Sequence, residues 1–385
     1  MSEWKKVKLG EITIIKTGKL DSNAAVPNGA YPFFTCDPTT LSIDKWAYDT
    51  EAILLAGNNA SGNYTAKYYK GKFNAYQRTY IIETLNPQFA SVRYMAYAMN
   101  QQLQLLKVMS SGSTTKFLTM KMLTQLSIDL PSIETQNRIA TILSRYDSLI
   151  ENYQKQIKLL EEAAQRLYKE WFVDLHFPGH ENTKIVDGVP EGWEKKKVGE
   201  IGKVITGKTP STAKKEYYGG QIPFITIPDM HTGIYPTSSQ FLSSLGANSQ
   251  SGKFIPANSL MVSCIGTAGL VCITKEECQT NQQINSLVLN DNSLLYYMYN
   301  TFLSLKGHLN NIGSNGATMT NVNKSKFESI EILIPTNSIS NLYNKAVEQS
   351  FRSIETLSSQ IRLLTEARDR LLPKLMSGEI EVGKE

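Results

Sequence analysis

The sequence predicts an α/β (α+β) protein. Two similar mixed α/β domains are joined by two long antiparallel helices forming a coiled coil, an internal repeat of pseudo-twofold character. Three observations carry this reading. One pattern of about 190 residues is written twice. Each copy opens with a strand-rich stretch full of Gly, Pro, Thr and Tyr. Each then closes with a Gly-free run whose apolar residues recur at three- and four-residue spacing.

The copies align from their first residues. "WKKVKLGEITIIKTGK", from Trp4, pairs with "WEKKKVGEIGKVITGK", from Trp193, matching Gly10 with Gly199, Glu11 with Glu200 and Gly18 with Gly207 at an offset of 189. "YPFFT" (31–35) then pairs with "IPFIT" (222–226), and "GNNASGN" with "CIGTAGL", each after an apolar strand, "AILLA" and "SLMVS". "AYQR", ending at Arg78, pairs with "NQQI", ending at Ile284, and "GSTTKFLT" (112–119) with "GSNGATMT" (313–320). "LSIDLP" and "IEILIP" close the two domains at Pro131 and Pro335, by which point the offset has grown to 204. Residues 91–109 and 294–309 read as one helix in each domain.

The helical runs follow. Ile139, Leu143, Tyr146, Ile150, Tyr153, Ile157, Leu160, Ala164, Leu167 and Trp171 form a sustained heptad seam. The second copy gives Tyr343, Val347, Ile354, Leu357, Ile361, Leu364, Leu371 and Leu375, interrupted at Ser350 and Arg368, with Pro373 expected to kink or end the helix. The two seams are each other's obvious partner, and Ile150, Ile157, Leu160, Ile354, Ile361 and Leu364 are its expected centre. Some 40 helical residues at ~1.5 Å each make a spacer of about 60 Å. Because the helices are alike, a fragment with only the first is expected to pair with itself. The organisation is therefore domain 1 at 1–130, a central helical spacer at 131–178, domain 2 at 179–334 and a distal helical spacer at 335–385.

Composition narrows the function. Apolar residues are 41% and charged residues 19%, an ordinary globular balance, with a formal net charge of +5. Cys36, Cys264, Cys272 and Cys278 contain no C-x-x-C pair and read as small buried hydrophobes; no metal site is expected. The N-terminus has no signal-like apolar region and no run approaches a membrane span, so a cytoplasmic protein is expected.

"GKVITGKT" (202–209) fits the phosphate-loop pattern G-x-x-x-x-G-K-[ST], making a P-loop nucleotide hydrolase the alternative reading. Against it, Val204-Ile205-Thr206 is β-branched strand sequence, Pro210 and Gly219-Gly220 leave little room for a helix, and the first copy has Thr13 and Leu20 at the ends of the pattern. A third reading is a coiled-coil scaffold with no nucleic-acid role. "NPQF" (86–89) is the nearest approach to an adenine-methyltransferase motif and lacks its second proline. No catalytic residues are assigned.

Over its whole length the chain resembles the specificity subunit of type I restriction-modification systems. The resemblance rests on the ordered, twice-repeated set of the "TGK" opening, the "GTAG" turn (266–269) with "NQQI" (281–284), and the "GST" loop before the I-x-L-P strand. It also rests on Glu134, Gln136 and Ile139 of E-x-Q-x-x-I and on the terminal "LLPKLMSGEI" (371–380). The second copy carries Ser338 and Ser340 in place of Glu134 and Gln136. The resemblance implies two target-recognition domains that bind a split site in double-stranded DNA. It implies two DNA-methylation subunits and translocase/nuclease restriction subunits as partners. S-adenosylmethionine, ATP and magnesium are then expected on those partners, and no cofactor on this non-catalytic chain.

DNA binding needs cations for phosphates and polar side chains for base edges. The first domain offers Lys16, Lys19, Lys67, Lys70, Lys72, Arg78 and Lys116, and the second Lys203, Lys208, Lys214, Lys215, Lys324 and Lys326. Candidate base readers are Asn58, Asn59, Ser113, Thr114 and Thr115 in the first copy, and Ser314 and Asn315 in the second. Tyr64, Tyr68 and Tyr69 are candidates for packing on sugars or bases, or for partly buried strand positions.

Overall fold

The structure is a computed structural model that describes residues 4–59, 64–109, 116–314 and 321–382. Asn59, Lys116 and Ser314 are described in backbone only, and Ser113, Thr114, Thr115 and Asn315 lie outside the described residues. The chain divides into two compact units, Met1–Ile150 with Leu363–Glu385, and Glu151–Arg362. The helical segments expected at 131–178 and 335–385 are thus each shared between units.

In the first unit the order is β1 (Lys5–Lys8), α1 (Leu9–Ile12), β2 (Thr13–Thr17), β3 (Tyr31–Phe34), β4 (Leu41–Ile43), β5 (Tyr48–Ala56) and β6 (Asn58–Asn59). Then come β7 (Ala66–Ala75), β8 (Thr79–Thr84), α2 (Val92–Met109), β9 (Lys116–Phe117), α3 (Met120–Gln125), β10 (Ser127–Leu130) and the long α4 (Ile133–Tyr168). Six strands form one sheet in the order β2-β8-β5-β7-β3-β4. Alternation along β5 covers both faces. Ile53 and Leu55 face α2 and the long helices, while Ala52 and Leu54 face a second cluster with Phe34, Phe73 and Ile81.

The second unit continues with β11 (Ile185–Val186), β12 (Val189–Pro190), β13 (Glu194–Lys197), α5 (Val198–Ile201), β14 (Gly202–Thr206), β15 (Tyr218–Ile225), α6 (Ile227–Met230), β16 (Gln240–Leu242) and α7 (Ser244–Asn248). It closes with β17 (Leu260–Ser263), β18 (Val271–Ile273), β19 (Gln279–Thr280), β20 (Ile284–Leu289), α8 (Leu295–Ser304), α9 (Lys306–Ser314), α10 (Lys324–Glu328), β21 (Glu331–Ile334) and α11 (Asn337–Met376). Its sheets run β14-β20-β17-β18 and β16-β15-β19. The helix expected over 294–309 is two helices, broken at Leu305.

The written repeat is a structural one, down to register. β1 pairs antiparallel with β10, Lys5 opposite Leu130 and Lys8 opposite Ser127. β13 pairs with β21 in the same way, Glu194 opposite Ile334 and Lys197 opposite Glu331. β2-β8-β5-β7 corresponds to β14-β20-β17-β18, and the parallel contact of Phe34 with Ala75 to that of Ile225 with Thr280. Where the first copy uses one long strand, β7, for both its neighbours, the second splits it into β18 and β19. Each copy also hangs its helix on a buried tyrosine: Tyr94 Oη donates to the Asp129 carbonyl at 2.7 Å, and Tyr297 Oη to the Leu333 carbonyl. Thr13 opens β2 as Gly202 opens β14, and the lookalike stretch 202–209 is mostly β14 (Gly202–Thr206).

Each unit holds one antiparallel pairing of helix segments. In the first, Ile139 and Leu143 of α4 share a core with Leu375 and Met376 of α11, and Asp147 meets Arg368. In the second, Ala164 lies by Tyr343, whose Oη donates to the Ala164 carbonyl at 3.2 Å. Of the six seam centres, Ile150 and Ile354 are buried, whereas Ile157, Leu160, Ile361 and Leu364 are half-buried. The seam of the second helix passes through Phe351 rather than stopping at Ser350: Phe351 is 1% exposed and stacks on Tyr296 with ring centroids 4.1 Å apart. Pro373 does not end α11, which runs on to Met376. Burial of Leu375 and Met376 holds the last turn and offsets the hydrogen bond that proline cannot donate.

Gln136 explains the E-x-Q start of α4. Its amide donates to the Phe89 and Pro131 carbonyls and accepts from Ser91 N–H, clamping the approach to α2 onto the helix. Ser340 in the second copy is too short for that clamp and bonds only the Asn337 carbonyl and Ser293.

Burial depth ranks the seam positions. Ile354→Asp is expected to cost roughly 3–5 kcal/mol, the penalty of an uncompensated buried charge, and Ile361→Asp markedly less. Urea unfolding of both variants checks this; equal losses would contradict the ranking.

Candidate nucleic-acid interface

The loops at one end of each sheet are drawn together by backbone hydrogen bonds. In the first unit Gly18 N–H donates to the Thr79 carbonyl (3.1 Å), Gly57 N–H to the Arg78 carbonyl (2.8 Å), and Leu118 N–H to the Gly57 carbonyl (3.0 Å). β6 and β9 pair, Asn58 opposite Phe117 and Asn59 opposite Lys116. The second unit repeats this: Gly207 N–H to Ile284 (3.0 Å), Cys264 N–H to Gln283 (2.8 Å), Val322 N–H to Cys264 (2.9 Å), with Ile265 bridging Asn321.

Glycine is required at the crossing itself. A Cβ on Gly18 would lie 2.2 Å from the Ala75 carbonyl oxygen, and one on Gly207 2.1 Å from that of Asn281. The repeated "TGK" is therefore a backbone-crossing signature. It is not a phosphate loop. Such a loop needs free amides and a following helix. Here Gly207 and Lys208 N–H donate to the Ile284 and Thr280 carbonyls, and the next regular element is the single turn Lys215–Tyr217.

This crossing gathers Lys19, Asn58, Asn59, Arg78 and Lys116 in one neighbourhood. Lys19 and Arg78 are exposed, with no side-chain partner among the described residues. The register makes Thr79, not Arg78, the counterpart of Ile284, so Arg78 corresponds to Gln283 and Gln77 to Gln282. The one-residue slip arises because both tetrapeptides place their glutamines beside a strand start. Lys208 takes the place of Lys19 and is likewise exposed. Gln282 and Thr209, absent from the sequence-based candidates, sit here too: Thr209 Oγ1 donates to Gln282 Oε1 at 2.6 Å. The "NQQI" motif was the signal for them. Gln283 is held by Asn281 (Nδ2 to Oε1, 3.1 Å).

Other candidates are engaged elsewhere. Lys16 pairs with Glu83 at 2.7 Å, Lys70 with Glu51 at 3.3 Å and Lys324 with Glu328 at 3.4 Å. Lys67 donates to the Pro38 carbonyl, and burial lowers its pKa. Lys72 lies over the Trp46 ring, and Lys326 donates to the Ile312 carbonyl. Lys214 donates to Tyr217 Oη at 3.0 Å, beside exposed Lys215. Exposed Lys203 sits opposite Val288, toward the other end of β14 from Gly207. Ser314 ends α9. Tyr68 donates to Glu51 and lies under Arg93, and Tyr69 packs against Phe34 and Phe73, which places both among structural contacts.

Cys264, Cys272 and Cys278 are buried, and burial pushes their thiols up to about 12. Cys36 departs from the expected burial: it sits half-buried just past β3, its thiol 3.8 Å from the Arg78 carbonyl. No helix among the described residues is long and apolar enough to cross a membrane.

The family model for the type I restriction modification DNA specificity domain matches residues 1–162 and again 190–365. The chain belongs to this family. It is a type I restriction-modification specificity subunit. It is 30% identical, over 464 aligned positions, to the type I restriction enzyme HindI specificity subunit of Haemophilus influenzae, covering 99% of this chain and 100% of that one. The MjaIX specificity subunit of Methanocaldococcus jannaschii is 31% identical over 305 positions, 75% of this chain and 68% of the relative. A type I restriction-modification S subunit from M. genitalium shares the fold, with a TM-score of 0.65 at 17% identity over 97% of this chain and 96% of that one. In this chain the repeated crossing frames one loop set in each unit.

Gly18→Ala and Gly207→Ala should each destabilise by at least ~1–3 kcal/mol, the usual cost of overpacking, because the obstruction is backbone. Lys208→Ala should leave stability unchanged. Denaturation midpoints decide; a neutral Gly207→Ala would remove the crossing argument.

Proposed function

We propose that this specificity subunit reads a two-part target in double-stranded DNA, one half with each loop set, and is itself non-catalytic. Two DNA-methylation subunits act at adenines of that target with S-adenosylmethionine. Restriction subunits using ATP and magnesium join them for cleavage. All act in the cytoplasm. One observation carries the reading: the two scaffolds agree in strand register while the side chains on the gathered loops differ, Arg78 against Gln283 and Asn58 against Ile265. A lysine follows the crossing glycine in both, at Lys19 and Lys208, as suits a phosphate contact. Arginine and amide side chains suit base edges.

Replacing residues 1–130 by the corresponding domain of another family member should change one half of the methylated sequence and leave the other half and the spacing intact. Mapping modified adenines in cells carrying this chain with its methylation partner tests that; a change in both halves, or in neither, would refute independent reading.

Lys19→Ala, Lys208→Ala and Arg78→Ala should each weaken DNA binding, and the lysine variants should lower the slope of log affinity against log salt by about 1. Titrations at several salt concentrations measure it. Unchanged slopes would remove the two lysines from the interface.

A further inference from the structure

The two long helices are similar, yet at one pair of facing positions they differ in charge. In the first unit Asp147 of α4 accepts from Arg368 Nη1 at 2.8 Å through one carboxylate oxygen and from Tyr97 Oη through the other. Arg368 is steadied in turn by Asp369, at 2.9 Å from Nε and 2.8 Å from Nη2. The repeat offset of 204 carries Asp147 to Phe351 and Ala164 to Arg368. In the second unit, therefore, the corresponding pair is apolar: Phe351 and Ala164 are 1% and 4% exposed and belong to one buried cluster. Tyr97 is likewise replaced by Asn300, which donates to Tyr343 Oη at 3.1 Å.

We propose that this asymmetry selects the partner: each long helix accepts the unlike helix and rejects a second copy of itself. Self-pairing of α4 in the same register sets Asp147 against Ala164 of the other copy, twice per pair. Self-pairing of α11 sets Arg368 against Phe351, also twice. Each arrangement forgoes the Asp147–Arg368 ion pair, whose side chains are 33% and 28% exposed, and leaves Arg368 with Asp369 alone; the unlike pairing makes both contacts. The general likeness of the seams would let each helix pair with a second copy of itself. One polar pair at one end and one apolar pair at the other weigh against that, as a polar residue in the seam does in coiled coils. The ready self-pairing anticipated from helix similarity is therefore opposed by these residues.

The test uses full-length chains carrying D147R, R368D or both. Either single reversal sets like charges together and should lower the thermal midpoint, and the double reversal should recover most of the combined loss. Losses that simply add would overturn the proposal. The decisive arm co-expresses differently tagged D147R and R368D chains. Exchanging helices between them restores opposite charges at both pairs, so a mixed dimer of two 43.0 kDa chains should be captured that neither variant forms alone. Singles that are stable, soluble and unmixed after co-expression would show that the pair does not choose the partner. Should the reversals prevent folding, D147N, R368Q and their combination give the same cycle with neutral groups: non-additive midpoints support the proposal and additive ones overturn it.

Discussion

At Gly18 and again at Gly207 the backbone of an edge strand passes over another segment so closely that a methyl group would overlap a carbonyl oxygen. The two amides there complete the crossing by donating to Thr79 and Ile284. Everything proposed for the loops depends on this contact. It fixes where the strand ends, brings the turn containing Arg78 or Gln283 beside it, and through Gly57 or Cys264 recruits the segment that follows α2 or α9. The scaffold is held by backbone bonds, which beyond the crossing glycines do not depend on side-chain identity. The side chains it displays are consequently free to differ. A duplicated unit can thus keep one geometry and present two surfaces.

The same physics explains why "GKVITGKT" resembles a phosphate loop. Close approach of backbone to backbone and close approach of backbone to phosphate both demand glycine. What separates them is where the amides point. In this chain they are satisfied internally, so no anion is needed to complete the loop. A pattern of residue types records the steric demand and not its cause.

Much was legible in the sequence. The repeat, its drifting offset and the two long helices followed from patterns that strand register and helix periodicity impose. What escaped is instructive in physical terms. Lys16 and Lys70 looked like free cations because their carboxylate partners, Glu83 and Glu51, become neighbours only when β2 joins β8 and β5 joins β7. Phe351 was passed over for Ser350 because a strict heptad alternates steps of four and three, whereas the buried positions run Tyr343, Val347, Phe351 and Ile354, in steps of four, four and three. Gln282 was missed because neutral amides carry no composition signal, whereas lysines do. Pro373 did not end its helix because local propensity yields to burial near a helix end.

Duplication also creates a hazard that the helix pair has to meet. Two copies of one apolar seam bind each other, and nothing in apolar burial tells the unlike helix from a second copy of the same helix. Intramolecular linkage favours the unlike helix of the same chain through effective concentration. Directional polar bonds supply the missing discrimination because they are satisfied in one pairing and orphaned in the alternatives. Asp147 sits where two donors reach both of its oxygens, while the equivalent site holds Phe351 stacked on Tyr296. The Asp147–Arg368 site thus marks each helix as unlike the other, which a purely apolar seam would not do.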